Sequence, residues 1–172
     1  MYKYRISKYN PLFRATNGRY LKEDWISISD IGKTFDGTQL IIESYKAIED
    51  GYVNALHLII GYMNIPFLSI KNFSKNSSID VLQDLIKKYP GLYTEKILDT
   101  YHDSKELDNL EKDVLDSYSR LLLRENIWSE VFYQEKVKVF IKYDYLMGIH
   151  SNQSLEKIIP DIEKLGLFVE KF

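Results

Sequence analysis

Three histidines, His57, His102 and His150, are the side chains best suited to ligate a metal or to move a proton near neutral pH. A helical metal pair needs a second ligand four residues away, and Val53 and Gly61 supply none for His57. His102 precedes Asp103 in an acid-rich segment and His150 follows the best strand pattern, so only tertiary folding would bring these two together. Carboxylates are plentiful, but acid–base catalysis needs two of them held in a cleft with divergent pKa values. Ser27-Ile28-Ser29-Asp30-Ile31-Gly32 lacks the glycine that precedes a nucleophile-elbow serine by two positions. The eight glycines form neither a phosphate-binding loop nor a dinucleotide fingerprint. Arg124 beside Glu125 is explained equally by a pocket arginine or by an ion pair. The enzyme reading is thereby reduced to an unrecognised site around Asp30, His150 or Arg124, and no metal or cofactor is expected.

Charge is the stronger signal. Residues 1–22 carry Lys3, Arg5, Lys8, Arg14, Arg19 and Lys22 without one acid. Residues 94–116 carry eight acids (Glu95, Asp99, Asp103, Glu106, Asp108, Glu111, Asp113 and Asp116) against three lysines. A formal net charge of -2 therefore hides a basic end and an acidic middle, each able to steer a partner of opposite sign. The basic stretch interleaves with Tyr2, Tyr4, Tyr9, Phe13 and Tyr20, as on a sheet that stacks bases. Against nucleic acid stand the pI near 6.0, the acidic middle, and an alternation that turns Tyr2 and Tyr4 inward.

The elements that would position these groups follow from periodicity. Tyr2, Tyr4 and Ile6 alternate with Lys3, Arg5 and Ser7 as in a half-buried strand, and residues 25–28 suit a short second one. Ile41, Tyr45, Ile48, Tyr52, Leu56 and Ile59 predict a helix over 39–62, with Gly51 a local weakness of about 1 kcal/mol. A strand over 67–71 and a helix over 78–88, N-capped by Ser77, come next, and residues 93–102 are either loop or a helical turn. Leu107, Leu110, Val114, Tyr118 and Leu121 predict a helix whose acids face solvent. Residues 137–147 alternate as one long strand, with 131–133 pairing through a turn at Gln134 and Glu135. Residues 154–165 suit a helix kinked or restarted at Pro160, and 167–172 a last strand, one that could pair two copies if it lies at an edge. The expectation is one α+β domain spanning 1–172, with a mixed or mainly antiparallel sheet packed by about four helices.

The absence of cysteine excludes a disulfide framework and thiolate metal sites and fits a reducing compartment. The start of the chain has no signal-like apolar stretch, and residues 55–63, broken by His57 and Gly61, are too short to span a bilayer. No helix pairs a lysine-rich face with a broad apolar one, so no membrane partner is expected. A cytoplasmic location is the simplest expectation.

Four blocks carry a resemblance: Tyr4-Arg5-Ile6-Ser7-Lys8-Tyr9-Asn10-Pro11, Trp25-Ile26-Ser27-Ile28-Ser29-Asp30-Ile31-Gly32-Lys33, Leu122-Leu123-Arg124-Glu125-Asn126-Ile127-Trp128 and Ile141-Lys142-Tyr143-Asp144-Tyr145-Leu146-Met147. The chain is similar, through these, to bacterial immunity proteins that accompany polymorphic or contact-dependent toxins. The resemblance brings no catalytic residues. It implies a binding protein that occludes a cognate toxin domain such as a nuclease. On that reading Asp103, Glu106, Asp108, Glu111, Asp113 and Asp116 rim the interface, and Tyr101 and Tyr118 are its anchors. The alternatives are a small cytoplasmic enzyme and a nucleic-acid-binding regulator.

Overall fold

The alternation of Val137, Val139 and Ile141 with Lys138, Phe140 and Lys142 becomes a central strand of a seven-stranded antiparallel sheet in the computed structural model, which describes residues Met1–Phe172. Along the chain the elements are β1 (Tyr2–Ser7), a short hairpin of β2 (Thr34–Phe35) and β3 (Thr38–Gln39), α1 (Ile42–Tyr62), β4 (Leu68–Lys75), α2 (Ile79–Lys88), α3 (Glu95–Asp103), β5 (Asn109–Leu110), α4 (Lys112–Leu123), β6 (Ile127–Tyr133), β7 (Val137–Lys142), β8 (Leu146–Ser151), α5 (Ile159–Glu163) and β9 (Phe168–Lys171). The large sheet runs β5-β4-β6-β7-β8-β1-β9, which leaves β9 at one edge and β5 at the other. This is a single α+β domain. No helix is long and apolar enough to cross a membrane.

One face of the sheet and the apolar stripes of the helices share a single cluster of 38 buried hydrophobic residues. From β6, β7 and β8 it takes Ile127, Val131, Val137, Val139, Ile141, Met147 and Ile149, and from α1 Tyr45, Tyr52, Leu56 and Ile59. Gly51 sits in α1 because the helix runs close to the carbonyl of Leu165, where an added Cβ would lie at 3.0 Å. The other face of the sheet is open. Glu130, Phe132, Lys138, Phe140 and His150 are part-exposed there, under hollows lined only by strand, turn and terminal residues.

Several expectations are corrected. The single strand over 137–147 is a tight hairpin: Asp144 (φ 62°) and Tyr145 (φ 59°) turn the chain, and Val139 pairs back onto Ile149. Alternation alone does not reveal such a turn, because Tyr143 and Tyr145 keep the apolar period through it. Residues 25–28 form no strand. Ser27 and Asp30 close a capping box around a 3-10 turn, and Trp25 packs inward. The helix expected from Leu107 starts only at Lys112, since Leu107 is exposed at φ 67° and Asn109–Leu110 pairs with β4. Ser78 rather than Ser77 caps α2, accepting from the Val81 amide at 3.3 Å. Residues 95–103 resolve into α3, and Pro160 starts a short α5, so five α-helices pack the sheet.

Candidate functional site

The densest polar constellation lies between α1 and α4. Glu49 is wholly buried and takes a two-pronged hydrogen bond from Arg124, Nε to Oε1 at 2.7 Å and Nη2 to Oε2 at 2.6 Å. Arg120 donates to the same Oε2 at 2.6 Å and reaches Asp50 with its other nitrogen at 2.6 Å. Arg124 also donates to the Leu92 carbonyl at 2.5 Å. Burial opposes the Arg124 charge, but Glu49 outweighs it and holds the guanidinium pKa above its usual value. Tyr45 donates to Glu49 at 3.3 Å and its hydroxyl meets that of Tyr145 at 2.5 Å, while Tyr52 donates to the Tyr145 carbonyl at 2.6 Å. Burial pushes the hydroxyl pKa values of Tyr45 and Tyr145 well above the ordinary tyrosine range. The network ties α1, α4, the hairpin turn and, through the Lys8 amide donating to Tyr52 at 2.8 Å, the end of β1. With the Glu49 side chain 0% and the Arg124 side chain 1% exposed, the centre of the network is closed, and it reaches solvent only at its Asp50 end. Its work is to fix the packing.

Lys8 is the second unusual group. Its ammonium forms an ion pair with Asp24 at 2.8 Å and lies 4.2 Å and 4.1 Å from the ring centres of Tyr9 and Trp25. Burial pulls its pKa down to about 8, with Asp24, Asp30 and Asp144 pulling the other way. A lysine so shifted is the kind that forms Schiff bases, yet its side chain is 3% exposed and occupies its own aromatic cage.

The sequence-predicted acids do not share one helix face. Asp103 ends α3, Glu106 and Asp108 lie in the connection, Glu111 is the N-cap of α4, and Asp113 and Asp116 lie within that helix. Glu106 accepts the Asn72 and Phe73 amides at 3.0 and 2.8 Å, where β4 bulges, and Asp108 accepts the Lys105 amide at 3.0 Å. Asp116 pairs with His57 across α1 and α4. Asp103, Glu111 and Asp113 are exposed and make no ion pair within the chain. Asp99, Asp103 and Asp108 line a groove of about 350 Å³ together with Lys96, Leu110 and Val114.

The two expected anchors are corrected. Tyr118 is 0% exposed and bonds to the Ser129 hydroxyl at 2.7 Å, and Tyr101 is 3% exposed with its hydroxyl on the Ser77 carbonyl. Rings so enclosed offer a partner no surface, and both belong to the core.

Asp30 accepts the Ile26 and Ser27 amides and the Lys33 ammonium, at 2.9, 3.2 and 2.7 Å. Burial opposes its charge, but these donors hold its pKa below the usual carboxylate value. It closes a turn. His150 projects from the open sheet face, whereas Arg124 is buried among the helices, so the three residues of the enzyme reading form no common site. No group of three or more histidine or carboxylate side chains is placed to hold a metal ion.

Among known proteins, no family model, curated sequence or solved structure matches the chain. Sequence reasoning missed Glu49, a carboxylate on the apolar stripe of α1, four residues after Tyr45 and three before Tyr52. That position was a visible signal, because a charge inside an apolar stripe must find a partner. The open sheet face was missed too, although Lys138, Phe140 and Lys142 occupy the non-core positions of the best strand.

Proposed function

We propose that this protein is a non-catalytic binding protein of the immunity type, which neutralises a cognate bacterial toxin domain in the cytoplasm by covering it. The supporting observation is the set of exposed carboxylates Asp99, Asp103, Glu111 and Asp113, left without ion-pair partners in their own chain, of which Asp99 and Asp103 line a shallow groove that Lys96 also borders. Ion pairs satisfied internally add little to a partner's field, whereas unpaired carboxylates on one edge attract a basic surface and speed its approach. A toxin domain that cleaves nucleic acid needs such a basic surface. Val114, part-exposed in the groove above the buried Leu110, offers one apolar contact inside a charged rim, the arrangement of effective interfaces.

The test is capture of tagged protein from lysate of the source bacterium, with and without the triple change Asp103→Lys, Glu111→Lys, Asp113→Lys. The expected result is one stoichiometric partner with a basic domain, whose activity is inhibited and whose association slows on the order of tenfold with the variant at low salt. Recovery of no protein partner, or a partner held equally by the variant, would sink the proposal.

A further inference from the structure

The open sheet face carries a different chemistry from the acidic edge. Cross-strand register aligns Lys3, His150, Lys138 and Phe132 in one row, and Arg5, Gly148, Phe140 and Glu130 in the next. Phe140 lies across Gly148: an added Cβ there would come within 3.0 Å of three ring carbons. The ring is framed by cations and donors, with the Lys138 and Lys142 ammonium groups each 5.6 Å from its centre and the His150 ring at 5.3 Å. Beside it is a hollow of about 190 Å³ bordered by Lys3, Arg5, Lys142 and His150, with Phe172 at its rim under Arg5, and no Asp or Glu side chain lines it.

A ring covering a cross-strand glycine is a known stabilising device in sheets, and lysines keep an open face soluble. Those effects account for Phe140 and for some of the lysines. They do not account for a hollow lined by charges of one sign in a chain whose net charge is -2. Acids are at hand nearby, since Glu170 approaches Arg5 at 3.5 Å and Glu130 approaches Lys138 at 3.3 Å, yet neither lines the hollow. Lys3 and Lys142 form no ion pair. His150 feels the resulting field: burial, then Lys138, Lys3 and Lys142, lower its pKa against the opposing pull of Glu130. A second hollow of about 720 Å³ continues along the same face past Lys71, Lys138 and Phe132, and there Glu130 and Glu135 join the lining, so the cationic lining is confined to the smaller hollow.

We propose that this face binds single-stranded nucleic acid, one phosphate lying among Lys3, Arg5 and Lys142 and a base stacking on Phe140. A sheet face has no projecting element to enter a duplex groove, whereas unpaired bases can lie flat on exposed rings while cations track the backbone. The surface is separate from the acidic edge, so this proposal and the toxin-binding one stand or fall independently.

The experiment is fluorescence anisotropy of a labelled single-stranded 12-mer with the full chain, at about 50 and 200 mM salt. Each phosphate neutralised by lysine or arginine contributes about 0.7 to the log–log salt slope for a single strand. The combined Lys3→Gln, Arg5→Gln, Lys142→Gln variant should therefore weaken binding at least tenfold at low salt and lower that slope by about 0.7, the share of the one phosphate the three cations hold. Phe140→Leu should weaken binding about five-fold or more with the slope unchanged, since it removes stacking and no charge. Urea unfolding confirms that each variant is folded, and the acidic-edge variant should bind the 12-mer no more weakly than the parent chain. Absence of binding at low salt, equal binding by the triple variant, or loss of label to heparin with no dependence on Phe140 would overturn the proposal. Full displacement by a mononucleotide at equal phosphate concentration would overturn it in favour of a small-nucleotide pocket.

Discussion

Of the six cations in residues 1–22, Lys8 meets Asp24 while Arg5 and Arg14 share Glu170, and Lys22 lies 3.8 Å from the centre of the Phe13 ring. Of the eight acids in residues 94–116, only Asp116 meets a cation, the other notable bonds being those of Glu106 and Asp108 to backbone amides. The two segments look like mirror images in sequence, but the fold uses half of the basic one for its own cohesion and leaves most of the acidic one to solvent. Buried charges such as Lys8, Glu49 and Arg124 are bound by geometry, and removing one partner strands the other. Exposed charges such as Asp103 and Asp113 cost the fold almost nothing to keep or to lose, which is the condition under which a surface can be shaped by a partner instead of by folding.

The sharpest test of this contrast is Glu49→Ala. It leaves Arg124 and Arg120 without their shared carboxylate inside the protein, and the expected loss is about 3–5 kcal/mol. Urea unfolding at pH 7 measures it. A loss below about 1 kcal/mol would mean that water or Asp50 takes over, and that the buried and exposed charges differ less than the geometry indicates.

Lys8 gives the next largest effect, and it depends on pH. Its folded pKa, about 8, lies below the 10.5 of the free side chain, so the unfolded chain binds more protons between those values. Stability from this group is therefore lowest below pH 8 and rises as pH climbs toward 10.5, by up to about 3 kcal/mol. The buried tyrosines Tyr45, Tyr52 and Tyr145 have raised pKa values and act with the opposite sign, reducing stability once unfolded tyrosines ionise near pH 10. Unfolding free energies of the parent chain and Lys8→Met should diverge between pH 8 and 9.5, with the parent gaining. Parallel curves would show that the ammonium keeps an ordinary pKa in its cage.

Tyr118 sets a smaller scale. Tyr118→Phe removes only the hydroxyl bonded to Ser129 and should cost about 1 kcal/mol, shifting the melting temperature by about 2–4 °C for a domain of this size. An unchanged melting temperature combined with weaker binding of a partner would restore the interface role that its burial denies.

The four blocks behind the immunity resemblance converge on one place in the fold. Trp25 packs against Tyr45 and, at 4.9 Å between ring centres, against Tyr145, while the Lys8 amide donates to Tyr52 and Arg124 holds Glu49. They include residues that lock the architecture, and none of Lys8, Trp25, Arg124 or Tyr145 presents a surface to a partner. Elements with a long, clean period were legible: β1 and α1 fall where periodicity put them, and β7 is the first half of the strand expected over 137–147. What escaped were changes of direction marked by neither glycine nor proline, where a lone aspartate inside an apolar alternation is too weak a signal to break it. Asp144 and Tyr145 turn β7 into β8 without glycine or proline, and Leu107 at positive φ diverts the chain into β5 before α4 begins. The acidic edge was legible as composition, but its grouping was not, because Asp99 and Asp108 meet only through the packing of α3 against the connection that follows it.

The smallest effects should come from the acidic edge itself, and their signs are fixed by position. Asp113 lies in the first turn of α4, where the helix dipole favours a negative charge, so Asp113→Lys should lower stability by about 0.3–1 kcal/mol. Asp103 is the last residue of α3, where the dipole favours a positive charge, so Asp103→Lys should raise stability by a similar few tenths. The double change should leave the chain nearly as stable as the parent, and differential scanning calorimetry at low salt resolves each single step. Both shifts should shrink as added salt shortens the screening length to about 10 Å at 0.1 M. A loss of several kcal/mol from either change, or shifts indifferent to salt, would mean that these carboxylates are held by the fold after all. The distinction between charges consumed by folding and charges left for a partner would then fail at the edge where it matters most for function.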